Sequence, residues 1–418
     1  MRIFKFGGAS VKNASAVRNV VRVLQQEGTD STLVVISAMG KMTNAFEVLI
    51  DAYYNQQNNL NEALTFIYDF HFNIIKDLFE IDSENVKNRV NELLGELNGF
   101  MIQNESRDYN YVYDQIVGYG ELLSTTIVSF YLKSIGIENN WLDVREYLKT
   151  DSNYRDAKIN WSSTEKIIKG NVDVQRLNIT QGFIGRNNDT TTTLGREGSD
   201  YTAGIFAFCL NAHSVTIWKD VEGVLNADPR VFSKTELLKE ISYSEAIEMA
   251  FYGASVIHPK TIQPLEKRNI PLYVRSFDHL DKKGTRVSKG VSLRPLISCY
   301  IVKKNQILIS ISVKDFSFMV ENNISQVFEK LHKHRLKVNL VQNSALSFSV
   351  CVDHKFNNFD EFYQELKHIY NIKAYKGVTL YTIRHFDDDA IDLIRQKGKS
   401  LIRQINTKTA QLVIEEST

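Results

Sequence analysis

Residues 181–204, QGFIGRNNDTTTTLGREGSDYTAG, constrain the fold more than any other stretch of this chain. An apolar alternating segment ends near Ile184, a run of Gly, Asn, Asp and Thr follows as a loop, and Ser199 and Asp200 open a helix expected through Leu210. Strand, loop and helix N-terminus in that order place unpaired backbone amides where an anion can sit. Ser199 is read as the helix cap, and the turn from Gly195 to Gly198 adds further amides. Arg196 contributes a fork of donors suited to a carboxylate. A glycine turn with a solvated arginine fits the same residues, so the stretch alone leaves the choice open.

The N-terminus repeats the arrangement. In RIFKFGGASV, residues 2–6 alternate into a short strand, Gly7 and Gly8 follow at once, and an amphipathic run begins near Asn13. Amides beside paired glycines approach a phosphate without a side chain in the way, and Lys5 lies within reach of the same phosphates. A targeting presequence is not expected, because the first strand starts so near the beginning.

At 418 residues the chain is expected to form two or three domains. A hydrophobic content of 43% with 24% charged residues describes a soluble globular protein. The formal net charge of +1 provides no global field for nucleic acid or an anionic membrane, so neither is expected as a partner. Cys209, Cys299 and Cys351 are far apart and each sits among apolar residues. They read as buried thiols of a reducing, cytoplasmic compartment, with no disulfide framework and no CxxC metal pair. No apolar run approaches the roughly 20 residues a membrane span requires.

In chain order, a helix over Ser15 to Gln25 and a strand over Thr32 to Ser37 complete a β-α-β opening, the mark of a mostly parallel sheet. SAMGKMTN follows, in which Ser37 and Thr43 are either hydroxyl donors at the carboxyl edge of the sheet or local caps. Residues 44–113 read as a helical excursion with turns at Asn55 to Asn61 and Asp82 to Asn88. Its aromatic stripes, Tyr53, Phe66, Phe70, Phe72 and Phe79, read as core. In VGYGELLST a helix starts near Gly118 and runs to about Lys133, with Glu121 in its first turn. Further on, Ser214 to Trp218 is a strand leading into KDVEGVLNADPR, Ser242 to Phe251 a helix, and Pro271 to Ser276 the last strand of a domain expected to close near 295.

The remainder has another rhythm. Gln306 to Val313, Ile324 to His334, Val338 to Val341, Leu346 to Val352, Phe359 to Ile369 and Val378 to Arg384 read as β-α-β-β-α-β, which is ferredoxin-like. A shorter unit follows: Leu380 to Arg384, Ala390 to Arg395, Ser400 to Gln404 and Ala410 to Ile414. Sharing Leu380 to Arg384 implies intertwined modules, and the truncated second one is expected to lean on the first or on another subunit.

KFGGASV, SAMGKMTN, VGYGELLST, GFIG with TLGREGSDYTA, WKDVEGVLNADPR, GASVIHPKT and VRSF stand in an order and spacing that resembles aspartate kinase, of the amino-acid kinase superfamily, with an ACT-like tail. The resemblance implies an α/β fold: a mostly parallel, kinase-like sheet sandwiched by helices over 1–295, plus an α+β ferredoxin-like ACT region over 300–418 with a truncated second module. It implies ATP-dependent phosphorylation of the side-chain carboxylate of L-aspartate, a monofunctional chain without a homoserine dehydrogenase domain, and a homodimer formed through the ACT region. Carried over by motif, Lys5 would neutralise the transferring phosphoryl group beside the Gly7 and Gly8 amides, and Asp200 would orient Lys5. Arg196 would hold the α-carboxylate of aspartate and Glu121 its ammonium, with Ser37, Thr43 and Ser199 lining the substrate end. Lys219, Asp220, Arg230 and Lys260 would hold the nucleotide, with Mg²⁺ bound largely by phosphate and water. Another kinase of the superfamily, or a regulator that binds ATP or an amino acid without turnover, remains the alternative.

Several positions depart from the family pattern. Glu197 stands in a common glycine position, Leu225 where some members have tyrosine, and Ser255 where lysine is frequent. Lysine-sensing tails often carry a VDLIxTSE segment; here it reads VNLVQNSA, with Asn339 and Ala345 replacing carboxylates. Weak or absent inhibition by lysine is expected.

Overall fold

The computed structural model describes residues 1–79, 83–254, 257–315, 317–354 and 358–416. They divide into two compact units. The first comprises residues 1–224, 237–247 and 257–292; the second comprises 225–236, 248–256 and 293–418.

The first unit opens with β1 (Arg2–Phe6), α1 (Ala14–Glu27) and β2 (Thr32–Ile36). Asn13 caps α1 by accepting the Ala16 N–H at 2.9 Å, as its Asn-x-x pattern favours. All five residues of β2 are buried, the sign of a central parallel strand covered on both faces. The helical excursion is α2 (Met42–Tyr54), α3 (Leu60–Leu78), α4 (Glu84–Gln103) and α5 (Tyr109–Val117). Then come α6 (Tyr119–Ser134), β3 (Asn140–Leu142), α7 (Val144–Tyr147), α8 (Trp161–Asn171) and β4 (Asn178–Gln181). A hairpin of β5 (Ile184–Asn187) and β6 (Thr190–Thr193) precedes α9 (Gly198–Leu210) and β7 (Ser214–Lys219). β8 (Glu240–Ser242), α10 (Tyr243–Tyr252), α11 (Pro259–Arg268), β9 (Leu272–Ser276) and β10 (Thr285–Ser288) follow.

The eight-stranded sheet runs β3-β4-β2-β1-β7-β9-β10-β8, and only the β9/β10 pair is antiparallel. Phe6 stands opposite both Ile36 and Trp218, and Ile36 opposite Gln181. Four neighbouring strands therefore end level. The loops that leave them, at Gly7, Ser37, Gly182 and Asp220, emerge along one edge.

Four sequence expectations need correction. The Asn/Asp/Thr run after Ile184 is the antiparallel hairpin β5–β6, because Thr191 to Thr193 are buried and β-branching suits a pleated, packed surface. Leu272–Ser276 is not the final strand, since Thr285–Ser288 pairs with it. The second break in the excursion does not extend to Asn88, because α4 already starts at Glu84; Asp82 lies outside the described residues. The core stripe of α3 is Ala63, Ile67, His71, Ile74, Ile75 and Leu78, while Phe66 is 56% exposed.

The second unit contains β11 (Cys299–Val313), α12 (Glu321–Lys333), β12 (Val338–Asn343), β13 (Ser347–Asp353), α13 (Phe359–Leu366), β14 (Tyr370–Arg384), α14 (Asp388–Arg395), β15 (Gly398–Ile405) and β16 (Thr409–Glu416), and its six strands form one antiparallel sheet. Its order is β12-β13-β11-β14-β16-β15. β11 and β14 are each 15 residues long. A register shift between Lys303 and Gln306 divides β11, so its second half serves the ferredoxin-like module and its first half the shorter one. Two separate cores record the division. Ile307, Ile309, Val327, Phe348 and Phe362 pack in one; Tyr381, Ile383, Ile391, Ile394 and Leu412 pack in the other, with Ala227 and Phe232. Cys209, Cys299 and Cys351 are buried free thiols, as expected. No helix among the described residues is long and apolar enough to cross a membrane.

Candidate active site

The level strand ends bring the two glycine motifs together. Lys5, second from the end of β1, meets Asp200 in the first turn of α9 with its ammonium 2.7 Å from the carboxylate. Both side chains are largely buried, at 12% and 6% exposure, where a paired charge interacts more strongly than at a surface. The adjacent loop demands its glycines. A Cβ on Gly8 would stand 2.5 Å from the Gly40 carbonyl oxygen and 2.9 Å from that of Ala38, while Gly7 passes beside Lys5 with room for no more than 3.3 Å to the Lys5 Nζ. Gly182 likewise lies against α9, where a Cβ would come within 2.6 Å of the Ser199 Cα.

A cleft of about 500 Å³ opens over this pair. Of the sequence candidates, Lys5, Ser37, Thr43, Glu121, Arg196, Ser199, Asp200 and Lys219 all line it. Gly7, Gly8, Asp220 and Lys260 are not among the lining residues; Asp220 is exposed beyond the end of β7, and Lys260 pairs with Asp156. Arg230 belongs to the second unit, where it is exposed and forks onto Asp228, with nitrogen–oxygen distances of 2.7–3.2 Å. Ser255 lies outside the described residues.

Ser199 does not cap α9. The helix begins one residue earlier, and the capping position is Glu197, held at a φ of +55° without a side-chain cap bond. The Oε2 of Glu197 is buried with no hydrogen-bond partner. At a glycine position this left-handed conformation would carry no steric cost.

Glu121 is only 2% exposed. One of its oxygens accepts the Ala38 N–H at 3.2 Å, and the other has no partner. Burial pushes its carboxyl up to about 8, against the opposing pull of the Ala38 bond and the Lys5 charge. The cleft thus presents a buried carboxyl whose ionised form lacks a cation of its own.

Four lining residues, Tyr113, Arg155, Phe183 and Thr193, were not among the candidates read from the sequence. Asp114 organises two of them. It is fully buried, and its oxygens accept the Thr193 hydroxyl and N–H, both at 2.8 Å, and the Arg155 N–H at 3.0 and 3.2 Å. Burial raises its carboxyl to about 6, against those same hydrogen bonds. A buried Asp in an aromatic helix was the one available clue.

An open parallel sheet with a cleft at its carboxyl edge, a strand-end lysine paired to a helix-start aspartate and glycine loops beside them define a phosphoryl-transfer scaffold. Residues 1–276 match the amino acid kinase family, and the chain belongs to that family. It is 31% identical over 356 residues to lysine-sensitive aspartokinase 3 of Escherichia coli (strain K12), covering 84% of this chain and 78% of that one. It is 33% identical over 292 residues to the bifunctional aspartokinase/homoserine dehydrogenase 2 of Arabidopsis thaliana, covering 68% of this chain. It spans 32% and 40% of the length of two such bifunctional Arabidopsis proteins. Among solved structures, E. coli aspartokinase III in complex with aspartate and ADP superposes with a TM-score of 0.80 at 26% identity, covering 99% of this chain and 96% of that one. The same enzyme in complex with lysine and aspartate gives 0.83, also at 26% identity and the same coverage. Within its family the chain groups with the aspartokinases.

Proposed function

We propose that the protein phosphorylates the side-chain carboxylate of L-aspartate with ATP, releasing ADP and 4-phospho-L-aspartate. The observation that carries this reading is the Lys5–Asp200 pair at 2.7 Å inside a cleft that also holds Glu121 and Arg196.

A β-carboxylate oxygen attacks the γ-phosphorus, the bond to the bridging β,γ-oxygen breaks, and ADP leaves with that electron pair. The attacking carboxylate is already ionised at neutral pH, so the site needs no general base. The chain's work is placement and charge neutralisation. The Lys5 ammonium, fixed by Asp200, faces the transferring phosphoryl group beside the backbone at Gly7 and Gly8. Arg196 takes the α-carboxylate of the substrate, and ionised Glu121 its ammonium. Ser37, Thr43 and Ser199 offer hydroxyl groups around the reacting carboxylate. Lys219 serves the nucleotide phosphates from the end of β7; the matching roles of Asp220, Arg230 and Lys260 rest on motif resemblance. Mg²⁺ would enter with ATP and be held largely by phosphate and water. When bound, that ion would offset the phosphate charge.

We further propose that residues 1–295 form the catalytic domain and 300–418 an ACT-like regulatory and dimerisation region, in a cytoplasmic enzyme. Exposed Phe318, Val320, Val341 and Leu346, on and near the outer strand β12, support a homodimer through that region.

The test is a coupled ADP-release assay with L-aspartate, ATP and Mg²⁺. Turnover with aspartate, and none with glutamate or carbamate, supports the reading. Turnover on another acid in place of aspartate overturns it.

A further inference from the structure

Of the four cationic residues that line the cleft, Lys5, Arg155, Arg196 and Lys219, the motif-based roles leave Arg155 unused. Arg155 lies on the wall of the cleft, in a loop with no chemical pattern in its sequence. Its backbone has a φ of +68°, a conformation that costs a non-glycine residue steric energy. The surroundings hold it there. Asp114 takes its N–H from a fully buried position, and its carbonyl oxygen lies 3.1 Å from where a Cβ on Gly195 would stand. The Arg155 loop is therefore packed on the very turn that carries Arg196.

Its guanidinium lies over the Tyr113 ring at 4.1 Å and near the Tyr109 ring at 5.8 Å. Those phenols are themselves tied down, Tyr113 donating to Glu47 and Tyr109 to Asp51, each at 2.9 Å. Among the described residues no carboxylate forms an ion pair with the Arg155 guanidinium. The exposed guanidinium is stacked on an aromatic face and hydrogen-bonded to the Tyr113 phenol, and its other N–H groups remain for a planar anion. Arg196, on the neighbouring turn, likewise has no ion-pair partner among the described residues.

We propose that Arg155 is a second specificity-determining ligand for the amino-acid substrate, closing with Arg196 on its non-reacting α-carboxylate. This rests on the proposed aspartate phosphorylation and adds to it a residue that the motifs do not supply. Two guanidiniums on one carboxylate, with Glu121 receiving the ammonium, select a free α-amino acid over a simple dicarboxylate.

The experiment compares wild type with Arg155→Gly and Arg155→Lys. Glycine suits the φ of this position, so Arg155→Gly should melt no lower than wild type, which separates lost binding from lost folding. In the ADP-release assay, KM for L-aspartate should rise about tenfold in Arg155→Gly and less in Arg155→Lys, with KM for ATP unchanged. For the α-amide of aspartate, which lacks the charged α-carboxylate, wild type and Arg155→Gly should have the same KM. An unchanged KM for L-aspartate in Arg155→Gly, or an equal penalty on the α-amide, overturns the proposal. Calorimetric binding of L-aspartate tells the two readings apart. If wild type binds aspartate without turning it over, phosphorylation of aspartate is refuted while weaker binding by Arg155→Gly still upholds the arginine's role; if wild type does not bind it, both fall.

Discussion

The environment of Glu121 predicts how substrate binding depends on pH. Its carboxyl is buried, accepts one backbone N–H and is pushed up by that burial to about 8. Roughly one molecule in eleven then carries an ionised Glu121 at pH 7, and about three in four at pH 8.5. The substrate's ammonium stays charged across this window and, in the proposed role of Glu121, pairs only with the ionised form. The apparent KM for L-aspartate should therefore fall about eightfold between pH 7 and pH 8.5, the ratio of those two populations. Calorimetry at pH 7 in two buffers of different ionisation enthalpy should show close to one proton released per aspartate bound. Glu121→Gln should bind aspartate weakly and lose both signatures. A KM that is flat or rises over this interval, or proton release that survives in Glu121→Gln, would refute the assignment. The linked effect on stability has the opposite sign. Because the folded carboxyl titrates above its ordinary 4.5, the stability it contributes is present below pH 4.5 and is lost as pH rises through about 8. Glu121→Gln keeps an acceptor for the Ala38 N–H, so at pH 8.5 it should exceed wild type in stability in denaturant unfolding, and the difference should shrink as the pH is lowered toward 4.5.

Three further outcomes follow from the site and the tail. Asp200→Asn removes the counter-ion of Lys5, and kcat in the ADP-release assay should fall by on the order of a hundredfold or more while the protein remains folded. Gly8→Ala drives a methyl group to 2.5 Å from the Gly40 carbonyl oxygen, and it should lower the melting temperature and abolish nucleotide-dependent stabilisation in a thermal shift assay. Asn339 is already engaged, accepting from the Lys303 ammonium at 2.7 Å and donating to Gln306 at 2.8 Å and Asp353 at 2.6 Å. A second cation would meet Lys303 there, so saturating lysine should leave turnover unchanged; inhibition at submillimolar lysine would contradict this.

What the sequence revealed and what it concealed divide along a physical line. Lys5, Ser37, Lys219 and the Gly182 turn each lie next to the carboxyl end of a parallel strand, where the fold class alone sends ligand-binding loops. Asp200 and Glu121 open helices, where a carboxylate has a local reason to stand. These positions are legible because backbone geometry and side-chain chemistry coincide within a few residues. Arg155 is not, since its place depends on Asp114, 41 positions away, and nothing in TDSNYRDA marks it. The β5–β6 hairpin was concealed by composition, its threonines being polar in sequence but buried in place. Residues 225–236 show a similar limit. Asn226, Asp228 and Pro229 announce a loop, but only packing reveals that Ala227 and Phe232 join the core of the second unit.

Two acids of the cleft, Asp200 and Glu121, show how nearly identical groups acquire different tasks from their surroundings. Asp200 has the Lys5 ammonium at 2.7 Å and the N-terminal turn of α9 behind it, so its charge is answered before any ligand arrives. Glu121 has one N–H and no cation, so burial holds its proton until a positive group enters. A substrate that brings a carboxylate to Arg196 but no ammonium would leave Glu121 neutral and gain nothing from it. One that brings an ammonium but no α-carboxylate would leave Arg196 unmatched. With the proposed roles of Arg196 and Glu121, only a zwitterion satisfies both, and a second carboxylate on its side chain is then left facing Lys5. On this argument preference for an α-amino acid comes from the charge that each wall of the cleft lacks, and the shape of the cleft has only to set the distance between them.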